Sequence, residues 1–402
     1  MTDKIVLAYS GGLDTSIAIR WIQENYKMDV IALTINVGGM EQKDLDAIKQ
    51  KALDVGAVAA YVVDARETFV NDYVWSALEA DAVYEGYPLA TALARPLIAK
   101  LLAETARKDG AKAVAHGSTG KGNDQVRFEV GVMALAPELE IYAPARDWGM
   151  SREQGIAYAQ KHGIPVPVTV DSPYSIDENL WGRSCECGVL EDPWAEPPEG
   201  AYDWTVSPKD APDKPEYVEI EFEKGIPVAL NGNKPDGVAL VEDLNKLAGQ
   251  HGIGRLDNVE SRLVGIKSRE IYEAPAGVVL LAAHQALEAI TLAKDQLRYK
   301  SKVAIEYADL IYNGLWFSAH RRDLAAYVDS TQRHVTGLVR LKLYKGVATV
   351  VGRKSPKSLY SYDLATYDEK DQFDHSNAEG FIRIWGLPVK IQTQLQGDDP
   401  DK

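Results

Sequence analysis

A short glycine-rich stretch near the start of the chain constrains the fold more than any other feature. It runs Ser10-Gly11-Gly12-Leu13-Asp14-Thr15-Ser16 and follows the apolar run 5–8, which is short enough to be a buried strand. Apolar residues then recur at helical spacing, at Ile17, Ile19 and Ile22. A strand that turns through two glycines into a helix directs backbone N–H groups and the positive end of the helix dipole at one spot. The stretch therefore predicts an anion site that a phosphate can approach closely.

This stretch differs from two common phosphate-binding motifs. It lacks the lysine that follows the glycines in G-x-x-x-x-G-K-[ST], and it does not match G-x-G-x-x-G. The pattern S-G-G-x-D-[ST]-S resembles the pyrophosphate-binding loop of the ATP pyrophosphatases, which cleave ATP between the α and β phosphates. The alternative is a plain Gly-Gly turn with a Ser or Thr helix cap, but all seven residues of the pattern are present between a predicted strand and a predicted helix.

The composition is typical of a globular protein of roughly two to three domains. The 402 residues are 46% hydrophobic and carry a net charge of −15, which gives no general attraction to the phosphate backbone of nucleic acids. The two cysteines, Cys185 and Cys187, cannot supply a disulfide framework or a four-thiolate zinc site. The sequence shows no signal peptide and no apolar run of the ~20 residues that a membrane span needs. We therefore expect a cytoplasmic protein.

Strand and helix patterns alternate from residue 5 to residue 162, which predicts a parallel sheet with crossover helices. In such sheets ligands bind beyond the carboxyl ends of the strands. A second glycine-rich loop, 117–123, also follows a predicted strand. We therefore expect it to face the same crevice as residues 10–16.

The alternation stops at Ile164-Pro165-Val166-Pro167, which predicts an extended linker. Beyond it, one long helical pattern at 277–312 and a hairpin pattern at 335–351 indicate an α+β domain. The apolar segment 381–391 is too short to bury its own side chains, so we expect it to dock on another subunit. The predicted fold class is α/β, in three parts: a nucleotide-binding domain at 1–165, a synthetase and oligomerisation domain at 166–361, and a C-terminal helical arm at 362–402.

Four separated motifs together indicate a resemblance to one particular family. They are A-Y-S-G-G-L-D-T-S at 8–16, H-G-S-T-G-K-G-N-D-Q-V-R-F at 116–128, S-I-D-E-N-L-W-G-R-S at 175–184 and G-I-K-S-R-E-I-Y-E-A-P at 265–275. Together they resemble the argininosuccinate synthase family over nearly the whole chain. The resemblance implies a homotetrameric ligase of arginine biosynthesis, with no nucleic-acid or membrane partner. Such an enzyme condenses L-citrulline with L-aspartate through a citrullyl-adenylate, uses ATP and Mg²⁺, and releases AMP and pyrophosphate.

The resemblance also assigns residues to each ligand. The residues assigned to ATP are Ala8, Tyr9, Ser10, Gly11, Gly12, Leu13, Asp14, Thr15, Ser16, Ile35 and Gly117. Those assigned to citrulline are Tyr87, Thr91, Asn123, Arg127, Ser175, Ser184, Glu260 and Tyr272. Those assigned to aspartate are Thr119, Asn123 and Asp124. We expect Asp14, Asn123, Asp124 and Arg127 to be catalytic, whereas the groups that hold Mg²⁺ are not indicated beyond Asp14 as one candidate.

These residue types suit the chemistry that the resemblance implies. Asp124 can accept hydrogen bonds from the α-ammonium group of aspartate and help to take its proton. Arg127 can hold a carboxylate with two parallel hydrogen bonds, and Glu260 would pair with the citrulline ammonium group. Asn123 belongs to both amino-acid sets, so it would lie between the nucleophile and the carbon that is attacked. Ile35 would contact adenine through its main chain.

Structural explanations remain open for several of these residues. Asp124 has the position of an N-cap for a helix that starts at Gln125. Arg127 is a residue type that commonly forms ion pairs on the protein surface. Lys121 can bind phosphate or be a solvated loop lysine. The polar run 177–179 is either a loop or part of the site.

Three other classes of protein compete with the ligase. A tRNA-thiolating ATP pyrophosphatase needs a basic RNA-binding face and a cysteine pair, which the charge of −15 and the C-x-C at 185–187 do not favour. A glutamine-dependent synthetase needs a glutaminase domain with a nucleophilic cysteine, which no part of the sequence is seen to supply. A non-enzymatic nucleotide sensor would have no use for Asp124, Arg127, Glu260 and Tyr272 together.

Overall fold

The computed structural model describes residues 2–165 and 174–397. The predicted linker at 164–167 lies partly outside these residues, as do the last five residues of the predicted arm, 398–402. The chain divides into two units, Met1–Lys357 and Ser358–Lys402. In the part of the chain that is described, no helix has the length and apolar character that a membrane crossing requires.

A parallel five-stranded sheet lies at the centre of the first part of the chain, as the alternating pattern predicts. Its strands are β1 (Lys4–Ala8), β2 (Asp29–Asn36), β3 (Ala59–Asp64), β4 (Ala113–Ala115) and β5 (Glu140–Tyr142). They are ordered β3-β2-β1-β4-β5, so β1 pairs with β2 on one side and with β4 on the other. The strand order therefore reverses between β1 and β4, which is where doubly wound sheets bind ligands.

Helices cover both faces of this sheet. They are α1 (Leu13–Asn25), α2 (Gln42–Val55), α3 (Arg66–Thr68), α4 (Trp75–Glu79), α5 (Ala90–Asp109), α6 (Asp124–Leu135), α7 (Pro144–Asp147) and α8 (Arg152–Lys161), with a π-helical segment Phe69–Val74 between α3 and α4. Alternate residues of β1 reach two different cores: Ile5 and Leu7 pack with Ile17 of α1, whereas Val6 packs with residues of α5 such as Leu97. Burial on both faces explains why β1 is continuously apolar.

Two antiparallel four-stranded sheets follow. The strands are β6 (Ser175–Asn179), β7 (Gly182–Glu186), β8 (Glu216–Glu223), β9 (Ile226–Leu230), β10 (Arg255–Ser261), β11 (Lys267–Glu273), β12 (Gly337–Tyr344) and β13 (Val347–Lys354). One sheet has the order β10-β11-β7-β6 and the other has the order β13-β12-β8-β9. The pairing of β12 with β13 confirms the predicted hairpin.

The helices of this region are α9 (Gly237–Gln250), α10 (Pro275–Thr291), α11 (Lys294–Tyr312) and α12 (Ala319–Gln332), and short 3₁₀ turns form at Gly188–Glu191 and Glu199–Ala201. The prediction of a single helix at 277–312 is wrong, because α10 ends at Thr291 and α11 begins at Lys294. Leu292 and Ala293 both have extended backbone angles at this break. Neither residue is a glycine or a proline, so the sequence carries no local sign of it.

The second unit consists of short helices, in agreement with the predicted helical arm. They are α13 (Tyr362–Ala365), α14 (Ser376–Trp385) and α15 (Leu387–Gln396). None of the described residues from 358 to 397 is buried. Phe381, Ile384 and Trp385 on α14 are 61%, 72% and 74% exposed.

Candidate active site

The loop between β1 and α1 has a backbone that requires glycine. Gly11 has φ +79°, and a Cβ atom there would lie 2.9 Å from Cγ1 of Ile48. Gly12 is the N-cap of α1 and makes no side-chain cap. The N–H of Gly12 donates to Oγ of Ser10, which lies 3.1 Å from Oγ1 of Thr15. The loop thus combines a helix N-terminus with two hydroxyl groups, which suits a phosphate group.

A lysine from a neighbouring helix lies beside this loop, although the motif itself contains no lysine. Lys51 of α2 donates from Nζ to the carbonyl oxygen of Gly11 at 2.8 Å. Burial lowers the pKa of Lys51. Its position adds a positively ionisable group to the predicted anion site, and its place 35 residues after Ser16 explains why the motif does not reveal it.

The second glycine-rich loop packs directly against the first. A Cβ atom on Gly117 would lie 2.8 Å from Cγ2 of Thr15. Ile35, near the end of β2, is 8% exposed on the neighbouring strand. The carboxyl ends of β1, β2 and β4 therefore meet at one edge, and the predicted common crevice of the two loops is confirmed.

A cavity of about 280 Å³ next to these loops gathers every residue assigned to the two amino acids. Those residues are Tyr87, Thr91, Thr119, Asn123, Asp124, Arg127, Ser175, Ser184, Glu260 and Tyr272. A second cavity, of about 380 Å³, is lined by Leu13 and Asp14 from the first turn of α1. The two cavities share Thr119 and Ser175, so the anion loop and the amino-acid cavity are neighbours.

One face of the sheet β10-β11-β7-β6 forms a wall of the first cavity. Ser184 of β7 pairs with Asp177 of β6 and with Tyr272 of β11. Glu186 and Glu270 lie two residues away on β7 and β11, so they share the same face. The motifs at 175–184 and 265–275 are the sequence signal for this wall.

The N-terminus of α6 forms the opposite side. Asp124 accepts hydrogen bonds at Oδ2 from Nε and Nη2 of Arg95 (2.9 and 2.7 Å), and at Oδ1 from Nη1 of Arg127 (3.0 Å). Arg95 also pairs with Asp177. Burial would raise the pKa of Asp124, but the charges of Arg95 and Arg127 outweigh it and lower the pKa to about 2. The Asp124 carboxylate is therefore ionised at neutral pH.

Two alternatives from the sequence do not hold: a helix N-cap for Asp124 and a surface ion pair for Arg127. Asn123 is the N-cap of α6, and Asp124 is the first helical residue, with its carboxylate turned to the arginines. Arg127 is only 5% exposed, donates from Nε to the carbonyl oxygen of Tyr312 at 2.9 Å, and lies 4.8 Å from the centre of the Tyr312 ring. It is a buried cavity residue and not part of a surface ion pair.

A network of hydroxyl and carboxyl groups forms the back of the cavity. Tyr312 donates to Oε1 of Glu260 at 2.6 Å, and Nδ2 of Asn123 donates to the Tyr312 hydroxyl at 2.8 Å. The hydroxyl of Tyr272 lies 2.7 Å from Oε2 of Glu260, and the Tyr272 ring stacks on Tyr87 at 3.9 Å. Burial raises the pKa of Glu260, and the negative charge of Glu270 raises it further.

Sequence reasoning missed several groups that complete this site. They are Arg95, Glu186, Arg262, Glu270 and Tyr312. Within the polar run 177–179, Asp177 lines the cavity, whereas Asn179 bonds to the backbone of Ala90 and Trp181. The run lies on β6, so it is not a loop; Asp177 belongs to the site, and Asn179 supports the backbone.

Comparisons with known proteins agree with this geometry. A family model described as the arginosuccinate synthase N-terminal HUP domain matches residues 4–165, and one described as the arginosuccinate synthase C-terminal domain matches residues 174–392. The chain is 63% identical over 397 residues to argininosuccinate synthase of Dehalococcoides mccartyi, covering 98% of this chain and 97% of the relative.

Two further relatives carry the same name. The chain is 60% identical over 394 residues to argininosuccinate synthase of Symbiobacterium thermophilum, covering 98% of each chain. It is 56% identical over 401 residues to that of Oceanobacillus iheyensis, covering 100% of this chain and 96% of the relative. The chain belongs to the argininosuccinate synthase family.

Membership of the argininosuccinate synthase family makes the chain an ATP-using ligase. It decides against the tRNA-thiolating enzyme, the glutamine-dependent synthetase and the nucleotide sensor, because the identity extends over both halves of the chain. The family match thus covers both the sheet that carries the anion loop and the sheet that forms the cavity wall.

Proposed function

We propose that this chain condenses L-citrulline with L-aspartate to argininosuccinate, through a citrullyl-adenylate, with release of AMP and pyrophosphate. One observation carries the proposal: all residues matched to the family's citrulline and aspartate sites line a single cavity that adjoins the anion loop. The enzyme would act in arginine biosynthesis.

The first step activates the ureido group of citrulline. A ureido carbonyl is a poor electrophile, so its oxygen attacks the α-phosphorus of ATP and pyrophosphate leaves. In this proposal residues 10–16 bind the nucleotide phosphates, Gly117 lets the second loop close on the nucleotide, and Ile35 contacts adenine. The N-terminus of α1 stabilises the charge on the leaving pyrophosphate. Asp14, on the first turn of α1, would help to hold Mg²⁺, because a carboxylate supplies the oxygen ligands that this ion prefers, and the ion would offset the negative charge of the ATP phosphates.

The second step uses the amine of aspartate as the nucleophile. It attacks the activated ureido carbon, AMP leaves with the former ureido oxygen, and the proton lost by the amine passes to solvent. Asp124, ionised between two arginines, would accept hydrogen bonds from the aspartate amine and orient it. A carboxylate with a pKa of about 2 is a weak base, so we assign orientation to Asp124 rather than storage of the proton.

Citrulline would be held at both of its polar ends. Arg127 would bind its carboxylate, and Glu260 would pair with its α-ammonium group, with Tyr87, Thr91, Ser175, Ser184 and Tyr272 around it. Asn123 would lie between the two amino acids, with Thr119 on the aspartate side. Holding three ligands in line can supply several kcal/mol of the barrier lowering, on the order of the 7–11 kcal/mol seen in well-oriented intramolecular reactions.

The domain organisation, the assembly and the location of the protein belong to the same proposal. We propose a nucleotide-binding domain at 1–165, a synthetase and oligomerisation domain at 166–361 and an arm at 362–402 that joins subunits of a homotetramer. The two free thiols, Cys185 and Cys187, suit a cytoplasmic location. The partners would be the small-molecule substrates and other copies of the same chain.

Product analysis tests the proposed reaction. The purified protein is incubated with ATP, Mg²⁺, citrulline and aspartate, and nucleotides and amino acids are separated by chromatography. AMP, pyrophosphate and argininosuccinate should appear together only when both amino acids are present. Formation of ADP, or AMP formation that does not depend on citrulline, would contradict the proposal.

A further inference from the structure

The hydrogen bonds at the back of the cavity run in one direction from Asn123. Oδ1 of Asn123 accepts the backbone N–H of Leu263 at 2.9 Å, so its amide nitrogen must face Tyr312. That nitrogen donates to the Tyr312 hydroxyl at 2.8 Å. The hydroxyl is thereby left to donate its own proton to Oε1 of Glu260, at 2.6 Å.

The hydroxyl of Tyr272 lies within hydrogen-bond distance of two carboxyl groups. It lies 2.7 Å from Oε2 of Glu260 and 2.7 Å from Oε2 of Glu270. A tyrosine hydroxyl has one proton and can donate it to only one of them. The other carboxyl group must itself be the donor, because two lone pairs at this distance repel each other.

The surroundings of the two carboxyl groups show which one carries the extra proton. Oε1 of Glu270 accepts a hydrogen bond from Nη2 of Arg262 at 3.0 Å, so Glu270 is paired with a cation. Glu260 is 2% exposed, and its hydrogen-bond partners within the described residues are two neutral tyrosine hydroxyls. Glu260 faces Tyr312 of α11, Tyr272 and Glu270 of β11, and Arg127 of α6.

We propose that Glu260 is protonated in the free enzyme and that the α-ammonium group of citrulline displaces this proton to solvent when it binds. The inference rests on the proposed function, which pairs that ammonium group with Glu260. In the free enzyme the proton on Oε2 of Glu260 is donated to Tyr272, and Tyr272 donates to Glu270. The raised pKa of Glu260 agrees with this direction, because burial and the charge of Glu270 both favour the neutral acid.

Binding is then an exchange of one proton for one ammonium group. At Glu260 the ammonium charge that arrives replaces the proton that leaves, so no unpaired carboxylate has to be kept in the buried cavity before citrulline arrives. Because citrulline needs the ionised form of Glu260, its affinity is full at high pH and is lost as the pH falls through the pKa of Glu260. The KM for citrulline should rise by up to about tenfold per pH unit below that point, whereas kcat at saturating citrulline does not follow it.

Calorimetry counts the protons directly. Citrulline is titrated into the full-length protein, without ATP, in buffers that differ in ionisation enthalpy, over a pH series that starts just above the ordinary glutamate pKa of about 4.3 and extends beyond neutral pH. The observed enthalpy should depend on the buffer with the sign of proton release, and the number released per citrulline should fall as the pH rises.

Two matched variants separate the hydrogen-bond chain from the general charge of the cavity. In Glu270→Gln, Arg262 keeps the amide oxygen, so the amide nitrogen donates to Tyr272 and Tyr272 donates to an ionised Glu260; proton release should fall to near zero. Glu186→Gln removes the same charge from the other partner of Arg262, at 2.5 Å, but Glu186 has no bond to Tyr272 among the described contacts. It should keep the proton release of the unmodified protein.

The outcomes distinguish the inference from the function on which it rests. Citrulline binding whose enthalpy is independent of the buffer, or a Glu270→Gln variant that releases as many protons as the unmodified protein, overturns the inference alone. Failure to form argininosuccinate in the product analysis described above overturns the proposed function as well. The KM profile for citrulline is the second measurement, and a profile that is flat towards low pH also contradicts the inference.

Discussion

Asp124 and Arg127 show how far individual residues could be predicted. Both belong to a contiguous motif, so the sequence assigned them to the site, but it could not decide between a helix cap, a surface ion pair and a substrate contact. Arg95 settles this for Asp124 from a different helix, 29 residues earlier in the chain. An arginine inside a helical pattern has no local signature, so its role depends on tertiary packing that the sequence does not display.

Replacement of Asp124 should separate the two steps of the reaction. Asp124→Ala should slow condensation with aspartate on the order of 10²-fold more than citrulline adenylation, a difference of about 2.7 kcal/mol in transition-state stabilisation. The reason is that its carboxylate belongs to the aspartate side of the cavity. Rapid-quench measurement of the adenylate burst checks this, with Arg127→Ala as the counterpart that should lose citrulline saturation first. Equal loss of the burst and of condensation in Asp124→Ala would contradict the assignment.

Tyr312 illustrates a residue that acts through others. It bonds to Asn123 and Glu260 and lies outside the lining of the cavity, so we assign it a positioning role. Tyr312→Phe keeps the ring stacked on Tyr84 and removes only the hydroxyl. The KM for citrulline should rise about tenfold, the equivalent of one lost hydrogen bond, and the free energy of unfolding should fall by about 1 to 3 kcal/mol because buried groups of Asn123 and Glu260 lose a partner.

Tyr84→Phe is the matched control for Tyr312→Phe. Its hydroxyl donates to the backbone carbonyl of Ser261, and it stacks on the same ring. Steady-state kinetics should show little change in its KM for citrulline. An equal rise of KM in both variants would mean that the hydroxyl of Tyr312 has no specific role.

At the scale of elements, the sequence predicted apolar strands better than polar ones. The parallel sheet was predicted because β1 and β2 are buried on both faces and read as continuous apolar runs. The strands β6, β7, β10 and β11 carry Asp177, Glu186, Glu260 and Glu270, because one face of their sheet is the cavity wall. Functional polarity therefore hides the pattern by which a strand is usually recognised.

A buried charge cluster joins the end of α4 to α10, α11 and α12. Asp81, His284 and Glu288 are close enough to ligate a metal ion, but Nζ of Lys300 lies 2.5 Å from Asp81 and 3.0 Å from Glu288. Gln332 of α12 bonds to both His284 and Glu288. The ammonium group of Lys300 thus occupies the place of a cation among these carboxylates.

Removal of that ammonium group should destabilise the fold. Lys300, 1% exposed, pairs with two carboxylates, so Lys300→Met should lower the free energy of unfolding by about 3 to 5 kcal/mol. Lys302→Met, at an exposed position of the same helix, should change it by less than about 0.5 kcal/mol. Denaturant unfolding of both variants is the measurement, and equal effects would show that the cluster contributes nothing specific.

At the scale of the whole molecule, the arm is the part whose surface needs a partner. Phe381, Ile384 and Trp385 are mostly exposed, and the rings of Phe381 and Trp385 stack at 5.6 Å on one side of α14. A soluble chain rarely leaves such an apolar surface in water. Its burial against another copy would contribute several kcal/mol to association, at ~25 cal/mol per Å² of apolar area.

Deletion of residues 362–402 should therefore lower the assembly state. Light scattering after size exclusion should show a smaller particle, while ATP binding remains, because the anion loop lies between β1 and α1. The double replacement of Ile384 and Trp385 by serine is the matched variant at full length and should weaken assembly in the same direction. A truncated protein that stays tetrameric would mean that other surfaces hold the subunits together.

Transfer of oxygen from citrulline to AMP follows the proposed adenylate step itself. Citrulline labelled with ¹⁸O in its ureido group is turned over with ATP and aspartate, and the AMP is examined by mass spectrometry. Attack of the ureido oxygen on the α-phosphorus predicts that each AMP carries one labelled oxygen and that the pyrophosphate carries none. Unlabelled AMP, or label in pyrophosphate, would contradict the adenylate mechanism and the roles assigned to the cavity.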